Sequence, residues 1–180
     1  MSNHKFAKIN MMLKYLSGLL LIALVAASCL KNNDDAGCPY TNTSITAPAA
    51  EQDSIKAYLD SNDIEAVRHP SGFFYQIVES GTGTDTVDLC SQILITYKGM
   101  LRNGTVFDKG DNVIFVLGSL IEGWKKGIPL LKKGGSIKLF IPPTLGYGSE
   151  DLRDNTNQVV IPANSMLIFD VKLLDYSVAN

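Results

Sequence analysis

The side chains that could carry chemistry in this sequence are mostly rings rather than ions. Tyr97, Phe107, Phe115, Trp124, Tyr147 and Phe169 are spread over the second half of the chain, and one carboxylate, Asp108, directly follows Phe107. Such a set offers no strong nucleophile. His69 is the single histidine after residue 28 and the cysteines are only Cys29, Cys38 and Cys90, so a zinc site or a Ser-His-Asp arrangement lacks its parts. A reactive thiolate at Cys90 would need a basic or cationic neighbour, and the sequence gives little support for one. With no glycine-rich phosphate loop and no metal-ligand cluster, neither metal nor cofactor is expected. Spacing alone leaves a plainer role open for several of these residues. Tyr97, Phe115 and Phe169 on alternating strands, and Trp124 on a helical stripe, are placed as core residues are, and Asp108 could cap a turn. Tyr147, between Gly146 and Gly148, is harder to read as structural.

Rings so far apart in sequence must be gathered by the fold. Residues 73–79 are aromatic and β-branched, and Ile93, Ile95 and Tyr97 alternate with Leu94, Thr96 and Lys98, a period of two that predicts strands. Asn103-Gly104 then predicts a tight hairpin, because both residues accept positive φ. Residues 113–117 form a further expected strand after a short loop over 108–112. Trp124, Ile128 and Leu131 follow at helical spacing, but Pro129 crowds the preceding turn, so this helix is short, bent or restarted near Gly127. Gly134-Gly135 ends it, residues 136–141 are another strand, and 142–161 read as one long irregular stretch. Leu167, Phe169, Val171 and Leu173 alternate in a closing strand, with Asp170 on the outer face. Strands, one short helix and more strands, without a repeated βαβ unit, define an α+β fold.

The chain has 180 residues, enough for one domain with tails. Lys5, Lys8 and Lys14 precede an apolar run of 12 residues ending at Ala27, and Ala26, Ala27 and Ser28 lead into Cys29. This is the layout of a secretory signal peptide over residues 1–28. The run falls short of the ~20 residues a membrane-crossing helix needs. Small residues before a cysteine resemble a bacterial lipobox, which implies lipidation at Cys29 and a membrane anchor, with a plain cleavable signal as the alternative. All 18 acidic residues follow position 28 while three of the 16 Lys and Arg precede it, so the exported part is net −5. That charge argues against a nucleic-acid partner, which would need a clustered cationic face. Residues 29–50 are polar and aperiodic and read as a flexible tether. Ile55, Tyr58 and Leu59 predict a short amphipathic helix at 51–62, within a helical segment 51–71, and its stripe is expected to dock on the main domain, with a dimer contact as the alternative. In an oxidising compartment Cys38 and Cys90 could pair, although sequence does not bring them together.

A family resemblance emerges from the motifs taken in order. Ile95-Thr96-Tyr97-Lys98-Gly99, Asn103-Gly104-Thr105-Val106-Phe107-Asp108, Leu120-Ile121-Glu122-Gly123-Trp124, Ile141-Pro142-Pro143 with Gly146-Tyr147-Gly148, and Ile161-Pro162 with Leu167-Ile168-Phe169-Asp170-Val171 resemble the FKBP-type prolyl isomerases over roughly residues 86–176. The resemblance implies an antiparallel sheet of five to six strands wrapped around one short α-helix, in a domain spanning 72–177. It implies a pocket in which Tyr97, Phe107, Asp108, Ile121, Trp124, Tyr147 and Phe169 are catalytic, with Trp124 as floor, Ile121 offering a backbone N–H and Tyr147 a hydroxyl. Phe115, Leu120, Val160 and Ile161 would contact substrate. The implied activity is peptidyl-prolyl cis-trans isomerisation of proline-containing segments of exported proteins, by a monomer held in the bacterial envelope, more specifically at the outer membrane. A chaperone or adaptor that holds proline segments with little turnover is the alternative. Val113 stands where many members have an aromatic, and residues 108–112 lack an arginine to pair with Asp108, so macrolide affinity does not follow from the resemblance.

Overall fold

The computed structural model describes residues 37–177. The signal segment 1–28, Cys29 and the first part of the expected tether lie outside the described residues. Helix α1 (Ala49–Ser61) is followed by β1 (Val67–Arg68), β2 (Phe74–Glu79), β3 (Gln92–Leu101) and β4 (Val106–Val116). Helix α2 (Glu122–Gly127) comes next, then β5 (Ser136–Ile141), the short hairpin β6 (Leu152–Arg153) and β7 (Val159–Ile161), and β8 (Leu167–Ser177). The main sheet has six strands in the order β1-β2-β5-β8-β3-β4, all paired antiparallel. The expected α+β class and the sheet wrapped around one short helix are therefore observed.

Period-two patterning gives the sheet two different faces. Inward, Ile93, Ile95, Ile137, Leu139, Ile141, Leu167, Phe169, Val171 and Leu173 form the main core with Trp124, Ile128 and Leu131. Helix α2 packs close to the sheet because Gly123 and Gly127 face it. A Cβ on Gly123 would meet Ile141 at 2.6 Å, and one on Gly127 would meet Leu139 at 2.7 Å. Pro129 ends the α-helical geometry as its missing N–H requires, and the chain continues as a 3-10 turn, Ile128–Leu130.

Outward, Phe74, Phe140, Ile168 and Met100 lie in one cross-strand row, given by the pairs Phe74↔Phe140, Phe140↔Ile168 and Met100↔Ile168. Helix α1 covers this row with Ile55 and Leu59, whose burial stabilises by roughly 1.5–3 kcal/mol each. Two residues further along the strands the same face turns ionic, where Asp170 pairs with Lys98 at 3.5 Å and with Lys138.

Five expectations change. The stretch 142–161 is not wholly irregular, since it holds the 3-10 turn Pro143–Leu145 and the β6–β7 hairpin. The described part of the supposed tether is packed down: Ala47 is buried, its N–H donates to Ser71 O at 3.0 Å, and Cys38 is bonded to Cys90 with Cα atoms 5.6 Å apart. Polar composition hid this because a disulfide and a few hydrogen bonds, not an apolar stripe, hold the segment. The helical segment 51–71 is helical only to Ser61, starts earlier at Ala49, and contributes the edge strand β1. Residues 108–112 are strand rather than loop. The register passes from Ile95↔Val113 to Tyr97↔Gly110, leaving Asp111 and Asn112 as a bulge in which Asn112 takes φ 54°. In the Asn103-Gly104 turn only Gly104 has positive φ, at 85°, and its N–H closes on Leu101 O at 2.9 Å.

Candidate active site

The cleft is built on Trp124. Helix α2 begins at its N-cap Ile121, whose carbonyl accepts the Trp124 N–H at 3.0 Å, and the short helix presents the indole to the inner face of the sheet. Three rings meet it edge-on: Tyr97 from β3 with centroids 5.3 Å apart at 80°, Phe169 from β8 at 5.0 Å and 82°, and Phe115 from β4 at 6.4 Å and 79°. Edge-to-face contacts direct ring hydrogens at a negative π face, and steep crossings keep the rings from collapsing flat on one another. What remains between them is a hollow of about 240 Å³, lined by Tyr97, Asp108, Phe115, Ser119, Leu120, Ile121, Trp124, Tyr147 and Phe169. A larger, shallower groove of about 520 Å³ lies on the ionic side of the sheet and includes Lys98, Lys109, Asp170 and Lys172. Tyr97 is the one ring in its lining, so it lacks the converging rings of the hollow over Trp124.

The polar groups of the cleft are few and oriented. Tyr97 donates its hydroxyl to Asp108 Oδ2 at 2.7 Å. Burial, then that hydrogen bond and the Asp108 charge, push the Tyr97 phenol up to about 12. Tyr147 stands at the rim, 41% exposed, and its phenol is also raised, first by burial and then by Asp108. Both hydroxyls therefore stay protonated, as donors, at neutral pH. The Ile121 N–H donates to no other described residue, and the buried Trp124 Nε1 has no hydrogen-bond partner among the described residues. A cleft with apolar walls and unspent donors at its rim suits a planar group with carbonyls on one side and an aliphatic ring on the other.

Of the residues singled out from sequence, Tyr97, Asp108, Phe115, Leu120, Ile121, Trp124, Tyr147 and Phe169 line this hollow. Phe107 stands behind it, edge-on to Phe169 at 5.5 Å and 90°, and supports the wall. Val160 and Ile161 are both in β7 and outside the lining, with Ile161 buried in the main core and Val160 packed against it. Their apolar character is used for packing rather than for the cleft. Ser119 lines the hollow without having been singled out, since a serine before an apolar pair carries no signal of its own.

Comparison with known proteins agrees with this geometry. Residues 83–174 match the family model described as FKBP-type peptidyl-prolyl cis-trans isomerase, and the chain belongs to that family. Among curated relatives it is 45% identical over 109 residues to the "FKBP-type peptidyl-prolyl cis-trans isomerase FkpA" of Buchnera aphidicola subsp. Schizaphis graminum, covering 58% of this chain and 41% of that protein. It is 42% identical over 109 residues to FkpA of Escherichia coli K12, covering 58% and 38%. The chain thus spans about two fifths of the length of these relatives. Among solved structures, Escherichia coli FkpA aligns with a TM-score of 0.60 at 32% identity, over 96% of this chain and 73% of that one. AtFKBP13 aligns with a TM-score of 0.57 at 32% identity, over 63% and 99%.

Proposed function

We propose that this protein isomerises X-Pro peptide bonds of exported proteins, acting as a monomer held in the bacterial cell envelope by lipid on Cys29. The observation that carries the reading is the hollow over Trp124, apolar on three sides and rimmed by protonated Tyr97 and Tyr147.

Rotation about a peptide bond is opposed by ~18–20 kcal/mol because the C–N bond has partial double-bond character. At the perpendicular midpoint the resonance is lost, and with it much of the charge separation between oxygen and nitrogen. A pocket with little water stabilises that less polar form relative to the planar one. The proline ring enters between Tyr97, Phe115 and Phe169 and rests on Trp124. The Ile121 N–H and the Tyr147 hydroxyl hold flanking carbonyls, so that the bond turns while its neighbours stay fixed. Asp108 keeps the Tyr97 ring in place through its hydroxyl. Uncatalysed exchange takes ~10–100 s. Reaching milliseconds requires a factor of ~10⁴ or more, about 5–6 kcal/mol at ~1.36 per decade. Desolvation and two positioned hydrogen bonds are of that order, and the step needs no nucleophile, metal or cofactor.

Among the described residues no helix is long and apolar enough to cross a membrane. The proposed anchor therefore rests on the Ala26-Ala27-Ser28-Cys29 sequence. Fractionation of cells expressing the Cys29→Ser variant tests it: the protein should move from the membrane to the soluble fraction, and unchanged partitioning would refute lipidation. For the activity, the full chain is assayed for cis-to-trans conversion of a proline tetrapeptide with leucine or phenylalanine before proline. Conversion no faster than in buffer at micromolar protein rejects catalysis.

A further inference from the structure

The segment 38–61 precedes the family-matched residues 83–174, yet it touches both sides of the cleft. On one side, Cys38 is bonded to Cys90, which anchors the arm beside the turn 88–91. That turn is internally fixed, since Asp88 Oδ1 accepts the Cys90 N–H at 2.9 Å and the Ser91 hydroxyl at 2.8 Å. Its carbonyls also hold the start of the cleft wall. Leu117 N–H donates to Ser91 O at 3.0 Å and Gly118 N–H to Leu89 O at 2.7 Å. The Tyr40 ring lies flush against Gly118, where an added Cβ would sit 2.2 Å from Tyr40 Cγ. Ser119, Leu120 and Ile121, all in the lining, follow directly.

The arm then reaches α2 itself. The Thr43 hydroxyl donates to Glu122 Oε2 at 2.5 Å, and Lys126 Nζ donates back to Thr43 O at 2.6 Å. Glu122 also pairs with Lys125 at 2.9 Å. Burial pushes the Glu122 carboxyl up, but the Thr43 and Lys125 hydrogen bonds and the two lysine charges outweigh it, so its pKa falls below the ordinary value. The carboxylate that Thr43 holds stands one residue after Ile121 and two before Trp124. On the other side of the cleft, Glu51 of α1 accepts the Thr144 N–H at 3.0 Å and the Thr144 hydroxyl at 2.7 Å. Thr144 lies in the 3-10 turn Pro143–Leu145 that delivers Tyr147 to the rim.

We infer that segment 38–61 is a clamp that positions both walls of the cleft, with Tyr40 and Thr43 setting the Leu117–Trp124 wall and Glu51 setting the Tyr147 wall. These are positioning residues, since none lines the hollow. Their contribution to turnover rests on the isomerase reading, while their contribution to cleft geometry does not. Orientation of groups around a reacting bond is where small displacements cost most in rate, so a clamp outside the family-matched residues 83–174 can set how well the cleft works.

Trp124 is the sole tryptophan of the chain and forms the cleft floor, so its fluorescence reports the cleft without any turnover. The test uses the full chain carrying Thr43→Val together with Glu51→Ala, with Lys172→Ala on the open face as control. Two quantities are read: kcat/KM on a proline tetrapeptide and the acrylamide quenching constant of Trp124. We expect the double variant to stay folded, to lose about tenfold in kcat/KM and to quench about twice as readily, with Thr43→Ser restoring the first wall where Thr43→Val does not. The single Thr43→Val, which exchanges a hydroxyl for a methyl, carries the same test if the double variant does not fold. A folded variant whose quenching constant equals that of wild type overturns the clamp, as does an equal change from Lys172→Ala. If wild type shows no turnover, the isomerase reading fails by itself and the quenching result alone decides the clamp.

Discussion

On the inner face of the sheet Trp124 is ringed by Tyr97, Phe115 and Phe169, and a hollow of about 240 Å³ survives. On the outer face Phe74, Phe140 and Ile168 are met by Ile55 and Leu59, and Ile55 and Phe140 keep only 1% exposure each. Both faces are apolar and rich in rings, so composition does not decide which becomes a pocket. The difference is in what covers them. Branched aliphatic side chains on α1 have rotamers that interdigitate with the sheet, as close-packed interiors demand. Around Trp124 flat, stiff rings meet at close to right angles and cannot slide into the space they enclose. Filling gives stability, and the unfilled shape gives a binding site.

That contrast can be broken by truncating one face at a time. Phe140→Ala should cost about 3–5 kcal/mol of stability in urea denaturation while the folded fraction keeps near-normal turnover; a large loss of kcat in folded protein would show that the faces are not separable. Trp124→Ala should strike both properties, lowering turnover of the folded fraction about 100-fold, or ~2.7 kcal/mol at ~1.36 per decade, and costing about 3–5 kcal/mol of stability because Trp124 also belongs to the main core. Tyr147→Phe removes one donor at the rim and should lower kcat/KM about tenfold, ~1.4 kcal/mol, within the range of a single hydrogen bond; no loss would remove Tyr147 from substrate contact.

The comparison sharpens with pH. Tyr97 is held at about 12 in the folded chain, above its ordinary value of 10.0. The unfolded chain therefore releases this proton first as pH rises. The contribution to stability is complete below pH 10 and is lost on the way to about 12. Absorbance titration at a phenolate wavelength, wild type against Tyr97→Phe, should show the missing group ionising late, and Asp108→Asn should bring it earlier. The smallest effect belongs to the ionic part of the outer face: Lys98→Ala, which cuts one partner from half-exposed Asp170, should change stability by less than about 1 kcal/mol and leave turnover alone.

Sequence and structure agree where periodicity carries the information. β3 and β8 could be read from alternation, because a period of two fixes which side chains share a face, whereas the cleft residues came from the family resemblance, since spacing alone places Tyr97, Phe115, Trp124 and Phe169 as core residues. The partner of the α1 stripe was less legible. Ile55 and Leu59 require an apolar surface, but only the pairing of Phe74, Phe140 and Ile168 across strands distant in sequence creates it. The arm at 38–48 was read as free because its attachment rests on one disulfide and a few hydrogen bonds such as Thr43 to Glu122, none of which leaves a pattern in composition. The β6–β7 hairpin escaped for a similar reason, since strands of two and three residues are too short to show a period. Phe107 and Phe169 looked equivalent as pocket rings, and only the geometry separates the wall from its support.

The bulge at Asp111 and Asn112 also guards an open border of the sheet. β4 is an outermost strand of the main sheet, with Ile114 63% exposed, and an open border of that kind invites an extended polypeptide to add itself and begin aggregation. Two residues opposite Thr96 alone, one of them in the left-handed region, interrupt the regular ladder on that border, and Lys109 and Asp111 put charge beside it. The opposite border, β1, is two residues long and offers almost no template. Neither border thus offers an extended chain a long, regular ladder to join permanently through its backbone.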